Sequence, residues 1–135
     1  MREIKFSARR ITGEWIYGSL IIFGQRTFIY PPNGSQEDYH FYGYEVLPKT
    51  VVQFTGLNDK NGMSIYEGHI LSEKWKCEVY QNDEGTFMVK FHTNPDWNSP
   101  MSLKKYLYDR EIAGTSDRDN IIIGNIHENP ELLNQ

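Results

Sequence analysis

The chain has 135 residues, which suits one domain, or one domain with a substantial extension, and is long enough to bury a core without covalent staples. Its 39% hydrophobic and 14% aromatic content excludes a disordered chain, and nine Tyr, seven Phe and three Trp favour strands over helices. Residues 1–50 carry six basic against five acidic side chains and residues 51–135 eight against thirteen, so the net charge of −4 holds no basic excess of the kind phosphate-binding proteins show.

In chain order, Ile4 and Phe6 alternate with polar neighbours and predict a short first strand. A turn at Thr12-Gly13-Glu14 leads into Trp15 to Tyr30, where Gly18 and Gly24 divide two or three tightly joined strands. Pro31-Pro32-Asn33-Gly34-Ser35 is a loop by composition, and Tyr39 to Val46 is an aromatic strand interrupted at Gly43. Thr50 to Phe54 is β-branched and aromatic. Asn58 to Gly62 follows as a turn, because Asn and Gly tolerate positive φ. A strand is expected at His69 to Ser72, and Glu78–Gln81 and Phe87–Phe91 flank a turn containing Gly85 as a β-hairpin. One helix is predicted near 100–109, with Ser99 as cap, Pro100 in the first position, and Leu103, Tyr106 and Leu107 on one face. Gly114 to Asn120 is a polar loop. Ile121 to Ile126, nearly continuous in apolar residues, is expected to be a central strand, and Asn129-Pro130 opens a closing turn through Leu133. The natural division falls near Pro48: a β-rich part over residues 1–48 and a compact β unit with the helix over 49–135.

Cys77 is the only cysteine, so no intrachain disulfide is possible. The charged start Met1-Arg2-Glu3-Ile4-Lys5 has no apolar run behind it, and no stretch approaches the length of a membrane span. The expected compartment is therefore the cytoplasm.

Several constellations invite a chemical reading and fail it. Asp59-Lys60-Asn61-Gly62 looks like part of a calcium loop, but placing Gly62 at the sixth position puts Leu57 and Gly68 where carboxylates are required. His40, His69, His92 and His127 share no metal-ligand spacing. Cys77 has Lys76 and Lys74 nearby but no identifiable base. The carboxylate pairs Glu37/Asp38, Asp83/Glu84 and Asp117/Asp119 all fall in loops and read as solvated turn charges. No glycine-rich phosphate loop is present. No catalytic, cofactor or metal site is therefore expected. The aromatic run is more informative. Alternation places Tyr39 and Phe41 on one face and His40, Tyr42 and Tyr44 on the other, so one face enters the core and the other is available for a protein interface or, less well given Glu37, Asp38 and Glu45, for stacking on bases.

Four stretches together resemble the YopX-like family of bacteriophage and prophage proteins. They are Arg2-Glu3-Ile4-Lys5-Phe6 with Tyr17-Gly18; Gln53 to Gly62 continuing to Ile65-Tyr66-Glu67-Gly68; the hairpin around Gly85 and Phe87; and Ile123 to Leu133. The resemblance implies a phage or prophage origin, a bacterial host cytoplasm and a mostly β fold, and it implies no reaction. Two departures stand out. The family's aromatic after the opening strand is replaced here by Ser7-Ala8-Arg9-Arg10, and its Glu-Gly-Asp turn reads Glu67-Gly68-His69. A catalytic Asp would be lost in this chain, whereas a position that shapes a turn or caps a backbone group tolerates His69; the second account is the better one. Gly56, Asp59, Asn61, Gly62 and Gly68 read as structural turn residues. From Tyr66 onward the pattern of strands and hairpin is that of an SH3-like small barrel, an analogy that carries no function by itself.

The expectation is thus a mostly β fold, in which N-terminal strands pack on an SH3-like barrel with one short helix. It serves as a non-catalytic interaction module that binds a host or phage protein or assembles with itself, through Tyr39, Phe41, Tyr42 and Tyr44. The alternative is a nucleic-acid-binding barrel, against which the overall charge weighs.

Overall fold

The structure is a computed structural model that describes residues 3–32, 42–73, 75–92, 99–112 and 120–134. Its first strands follow the aromatic and β-branched pattern. Strand β1 (Phe6–Arg9) pairs antiparallel with β2 (Trp15–Phe23), and β2 pairs with β3 (Arg26–Tyr30) across the two-residue reversal Gly24-Gln25. Gly24, at φ +64, supplies the left-handed residue that such a reversal needs. Strand β4 is only Tyr44–Glu45 and pairs with β3; a single 3-10 turn, Pro48–Thr50, then leads to β5 (Val52–Asn58), which lies against the other side of β1.

The chain divides into two compact units, residues 1–56 and 57–135, with the last residues of β5 belonging to the second. In the first unit the strand order is β4-β3-β2-β1-β5. An isolated bridge between Arg10 and Val46, with Leu47 N donating to Arg9 O at 2.8 Å, draws the end of β4 toward β1. The curl encloses Ala8, Ile29 and Val46, flanked by Phe6, Ile16 and Leu20. Gly43 permits it. It sits at φ +102, and a Cβ there would lie 2.3 Å from the carbonyl oxygen of Ile29.

In the second unit a short strand β6 (Ser64–Tyr66) is followed by β7 (His69–Leu71), β8 (Cys77–Gln81), β9 (Phe87–Phe91) and β10 (Met101–Ser102), by helix α1 (Leu103–Ile112) and by β11 (Ile122–Asn125). A 3-10 turn, Pro130–Asn134, closes the described chain. Five strands form one antiparallel sheet in the order β10-β9-β8-β7-β11. Asn82 Oδ1 accepts from the backbone N–H of Glu84 and Thr86 and so fixes the β8–β9 reversal. No helix among the described residues is long and apolar enough to cross a membrane.

Three expectations need correction. The SH3-like barrel is not formed: neither sheet closes. Closure requires the terminal strands to pair, but β10 is two residues long and runs directly into α1, while β11 pairs with β7 at the far end. The apolar face that closure would bury is covered by the helix, whose Leu103 and Tyr106 pack fully buried among Val79, Val89 and Phe91. The helix starts later than Ser99 and Pro100 suggest. Met101 and Ser102 are held extended by pairing with Val89 and Met88, and it is Ser102 Oγ that accepts from Lys105 N at 3.1 Å. Finally, Ile122–Asn125 is an edge strand; its register slips between Ile122 and Gly124, and its residues are half-buried.

Two glycine substitutions separate conformational from steric cost. Gly62 has φ +83 with open space around its missing Cβ, whereas Gly43 combines positive φ with a backbone clash. Gly62→Ala should lower stability by about 1 kcal/mol and Gly43→Ala by roughly 2–4 kcal/mol. Urea titration of both variants by circular dichroism measures the difference; equal losses would show that the close approach to Ile29 is not maintained in solution.

Candidate functional site

The register of β2, β3 and β4 sorts their side chains onto two faces. Ile29 pairs with Leu20 and Tyr44 and belongs to the face that encloses the core, whereas Phe28 pairs with Ile21 and Glu45, and Phe23 with Arg26, on the opposite face. On this outer face Phe28 is buried to 1% exposure beneath neighbouring rings. Tyr42 stacks on Phe23 with centroids 5.1 Å apart and leans on Phe28 at 5.5 Å. Phe23 nevertheless remains 60% exposed, at the end of the hairpin where Ile22 is 68% exposed on the other face. With Tyr42 and Phe28 beside it, Phe23 makes an exposed aromatic cluster rather than a single apolar side chain at the surface.

Among the described residues, Arg26 and Glu45 form an ion pair beside this cluster. Arg26 donates through Nη2 to Glu45 Oε1 at 2.8 Å and through Nε to Glu45 Oε2 at 3.1 Å, in the forked geometry that fits a guanidinium to a carboxylate. Hydrogen bonding to Glu45, and then its charge, raise the Arg26 pKa further. The pair is exposed, so its value for stability is small; what it fixes is position, with the guanidinium 5.1 Å from the Phe28 ring.

The four aromatics singled out by sequence fare differently. Tyr39 and Phe41, with His40, Glu37 and Asp38, lie outside the described residues, as do Lys74, Asp117 and Asp119. Tyr42 joins the outer cluster. Tyr44 lies across from Ile29 on the core face, where the Arg10 guanidinium covers its ring at 4.2 Å and Glu14 pairs with Arg10. Simple alternation, which puts Tyr42 and Tyr44 together, breaks because the chain turns at Gly43. Phe23 and the Arg26–Glu45 pair were not found from sequence; the signal available was the aromatic directly before a Gly-containing reversal.

In the second unit Asp59 organises the turn. It is buried, and its Oδ1 accepts from the N–H of Asn61 and Met63, both at 2.9 Å, while Oδ2 accepts from Ile122 N at 3.0 Å. Gly62 N closes the turn on Asp59 O, and Lys60 N donates to Asn120 O. Gly56 and Gly68 hold φ +86 and +88. At the other end of β11, Asn125 N donates to Asn129 Oδ1. Close by, Ser72 and Asn120 both take left-handed backbone; Asn120 N donates to Ser72 Oγ at 2.9 Å, and Ser72 Oγ lies 2.6 Å from the Tyr106 hydroxyl. Asn120 tolerates such a backbone, but nothing in the sequence marks Ser72. Cys77 is fully buried, and His92 Nε2 meets Glu78 Oε1 at 3.2 Å. Among the described residues no group of His, Cys, Asp and Glu is arranged to hold a metal ion.

The family model described as YopX protein matches residues 25–134, from the β2–β3 reversal to the closing turn. The chain belongs to the YopX family. No curated protein matches it. The matched span includes Arg26, Phe28, Tyr42 and Glu45; the opening stretch Arg2 to Phe6, Tyr17-Gly18 and Phe23 precede it.

One departure from the YopX pattern now has a physical account. His69 Nδ1 accepts from Tyr66 N at 2.9 Å, the bond that an Asp carboxylate at that position is equally able to accept, and its ring meets Tyr66 edge-on. Accepting at Nδ1 requires the neutral imidazole with its proton on Nε2. Burial lowers the His69 pKa to about 4, opposed in part by the charge of Asp59. The unfolded chain therefore binds this proton more readily than the folded one. The stability that His69 contributes is complete above about pH 6.5, declines as pH falls, and is lost by about pH 4, a change of roughly 2–4 kcal/mol at 1.4 kcal/mol per pKa unit. His69→Asn keeps an acceptor for Tyr66 N without titrating. Urea unfolding between pH 7 and 4 should show a shallower loss in this variant than in the parent; parallel curves would place the His69 pKa near its ordinary value.

Proposed function

We propose that this YopX-family chain is a non-catalytic protein-interaction module encoded by a phage or prophage, and that it meets its partner with the outer face of β2, β3 and β4. The observation that carries the reading is the exposed Phe23 stacked on Tyr42 over buried Phe28, bordered by the Arg26–Glu45 pair. An apolar, aromatic centre within a charged and solvated rim is the anatomy of a protein interface. The partner class is a host or phage protein, or a second copy. Nucleic acid fits less well: Arg26 beside the aromatic cluster is already paired with Glu45, residues 51–135 carry thirteen acidic against eight basic side chains, and the barrel analogy that motivated nucleic-acid binding has been removed by the open sheets.

Placing a photo-crosslinking phenylalanine analogue at Phe23 and, as a control, at Glu84 on the exposed β8–β9 turn tests this in the producing bacterial cell. Irradiation should yield discrete protein adducts from position 23 and not from position 84. No adduct at position 23 above the control would overturn the assignment of this face.

A further inference from the structure

We infer that Asn61 is a site of spontaneous deamidation, that the turn built on Asp59 sets its rate, and that the isoaspartyl product is unable to rebuild that turn. Asparagine followed by glycine is the pair most open to this reaction, because no side chain on the second residue obstructs the attacking amide. The backbone nitrogen of Gly62 gives up its proton and bonds to Asn61 Cγ. The Cγ–Nδ2 bond breaks, and Nδ2 takes up a proton and leaves as ammonia. Solvent water then opens the five-membered imide at either carbonyl, leaving aspartate or isoaspartate at position 61. The sequence of steps is redox-neutral and needs only water.

The turn meets part of what this reaction requires and withholds the rest. Asn61 and Gly62 are both exposed, and a Cβ built at Gly62 would meet nothing within 4 Å, so the pair is open to solvent. Asn61 is tied down through its backbone N–H, and its side-chain amide makes no hydrogen bond among the described residues. The attacking nitrogen, however, is held. The proton that must leave Gly62 N is donated to Asp59 O at 3.0 Å. On either side of it, Asn61 N and Met63 N both donate to Asp59 Oδ1 at 2.9 Å, and Asp59 N donates to Met63 O at 2.8 Å. Ring closure swings the Asn61–Gly62 peptide out of this frame, so the turn has to open first. The Asp59 carboxylate also sets negative charge beside an amide that becomes anionic as it attacks. The product is a different matter. Isoaspartate carries the chain through its Cβ, one methylene longer between residues 61 and 62, and hangs a new carboxylate from Cα. The longer link takes Gly62 N and Met63 N out of register with Asp59, whose buried carboxylate loses donors that replaced its hydration. Because Asp59 Oδ2 also receives Ile122 N, the damage reaches the start of β11.

Peptide mapping by mass spectrometry of the full chain, held at about pH 8 and about 37 °C with and without about 8 M urea, tests this. In urea Asn61 should convert at a rate close to that of Asn33-Gly34, the chain's other Asn-Gly pair. Without urea Asn61 should convert at least about tenfold more slowly. Hydrogen exchange of Gly62 N–H in the native chain should be slowed by the same factor to within about threefold, because the same opening exposes the same group. Asp59→Ala, shown to be folded by circular dichroism, should bring the native rate to within about threefold of the unfolded one. The purified isoaspartyl chain should unfold at lower urea than Asn61→Asp, which gains the same charge without the methylene. No conversion in urea, native conversion as fast as unfolded, protection that survives Asp59→Ala, or an isoaspartyl chain as stable as Asn61→Asp would each overturn the inference. If Asp59→Ala does not fold, the exchange measurement decides: a Gly62 N–H that exchanges freely while Asn61 stays protected would show that the turn is not what holds the reaction back.

Discussion

A β-sheet has two faces, and in water each must be covered or used. In the second unit that constraint is met by the helix: Leu103 and Tyr106 are fully buried against Val79, Val89 and Phe91, and this contact replaces the ring closure of a barrel. Removing a buried leucine of this kind typically costs 2–5 kcal/mol, so a single side chain on α1 accounts for a large part of a small unit's stability. In the first unit, the face that holds Ala8, Ile29 and Val46 is enclosed when the end of β4 bends toward β1. Its opposite face has no helix of its own among the described residues. Tyr42 leans on Phe28 there, and Phe23 is left largely in solvent. The proposed function follows from that asymmetry.

A second organising force is electrostatic and local. A carboxylate is expensive to bury unless hydrogen bonds replace its hydration. Asp59 receives three backbone donors, two from its own turn and one from Ile122, sixty-three residues further along the chain. The turn is therefore more than a reversal, because it also fixes where the last strand begins. His69 works by the complementary rule. Its role is to accept, burial keeps it neutral, and neutrality keeps the acceptor available to Tyr66 N. These two groups show how polar side chains in a stretch dense in family-like residues serve the backbone of its turns.

The strands from Phe6 to Tyr30 and the hairpin around Gly85 were legible because their signals are local: β-branched and aromatic runs bounded by Gly and Asn. The Asn58–Gly62 turn was legible for the same reason. What escaped was set by distant pairing. Ser99-Pro100 is a sound start signal for a helix, yet the pairing of Met101 and Ser102 with β9 moves the start to Leu103. The apolar run at Ile121–Ile126 resembles a central strand, but it lies at the sheet's edge and packs in part against residues that follow it: a Cβ on Gly124 would meet Asn129 and Leu132. The candidate face was half legible. Tyr42 came from the aromatic run, whereas the partners that give it meaning, Phe23 and the Arg26–Glu45 pair, lie on other strands and are joined only by register.

The position of β11 at the end of its sheet has a consequence for the life of the protein in a crowded cell. An edge strand offers a row of unpaired donors and acceptors on which another chain can grow. Here the two outward N–H groups at the ends of β11, those of Ile122 and Asn125, are already occupied by Asp59 Oδ2 and Asn129 Oδ1. A newly made copy reaching this edge finds these donors taken. The same carboxylate that shapes the turn thus also shields this edge against strand addition.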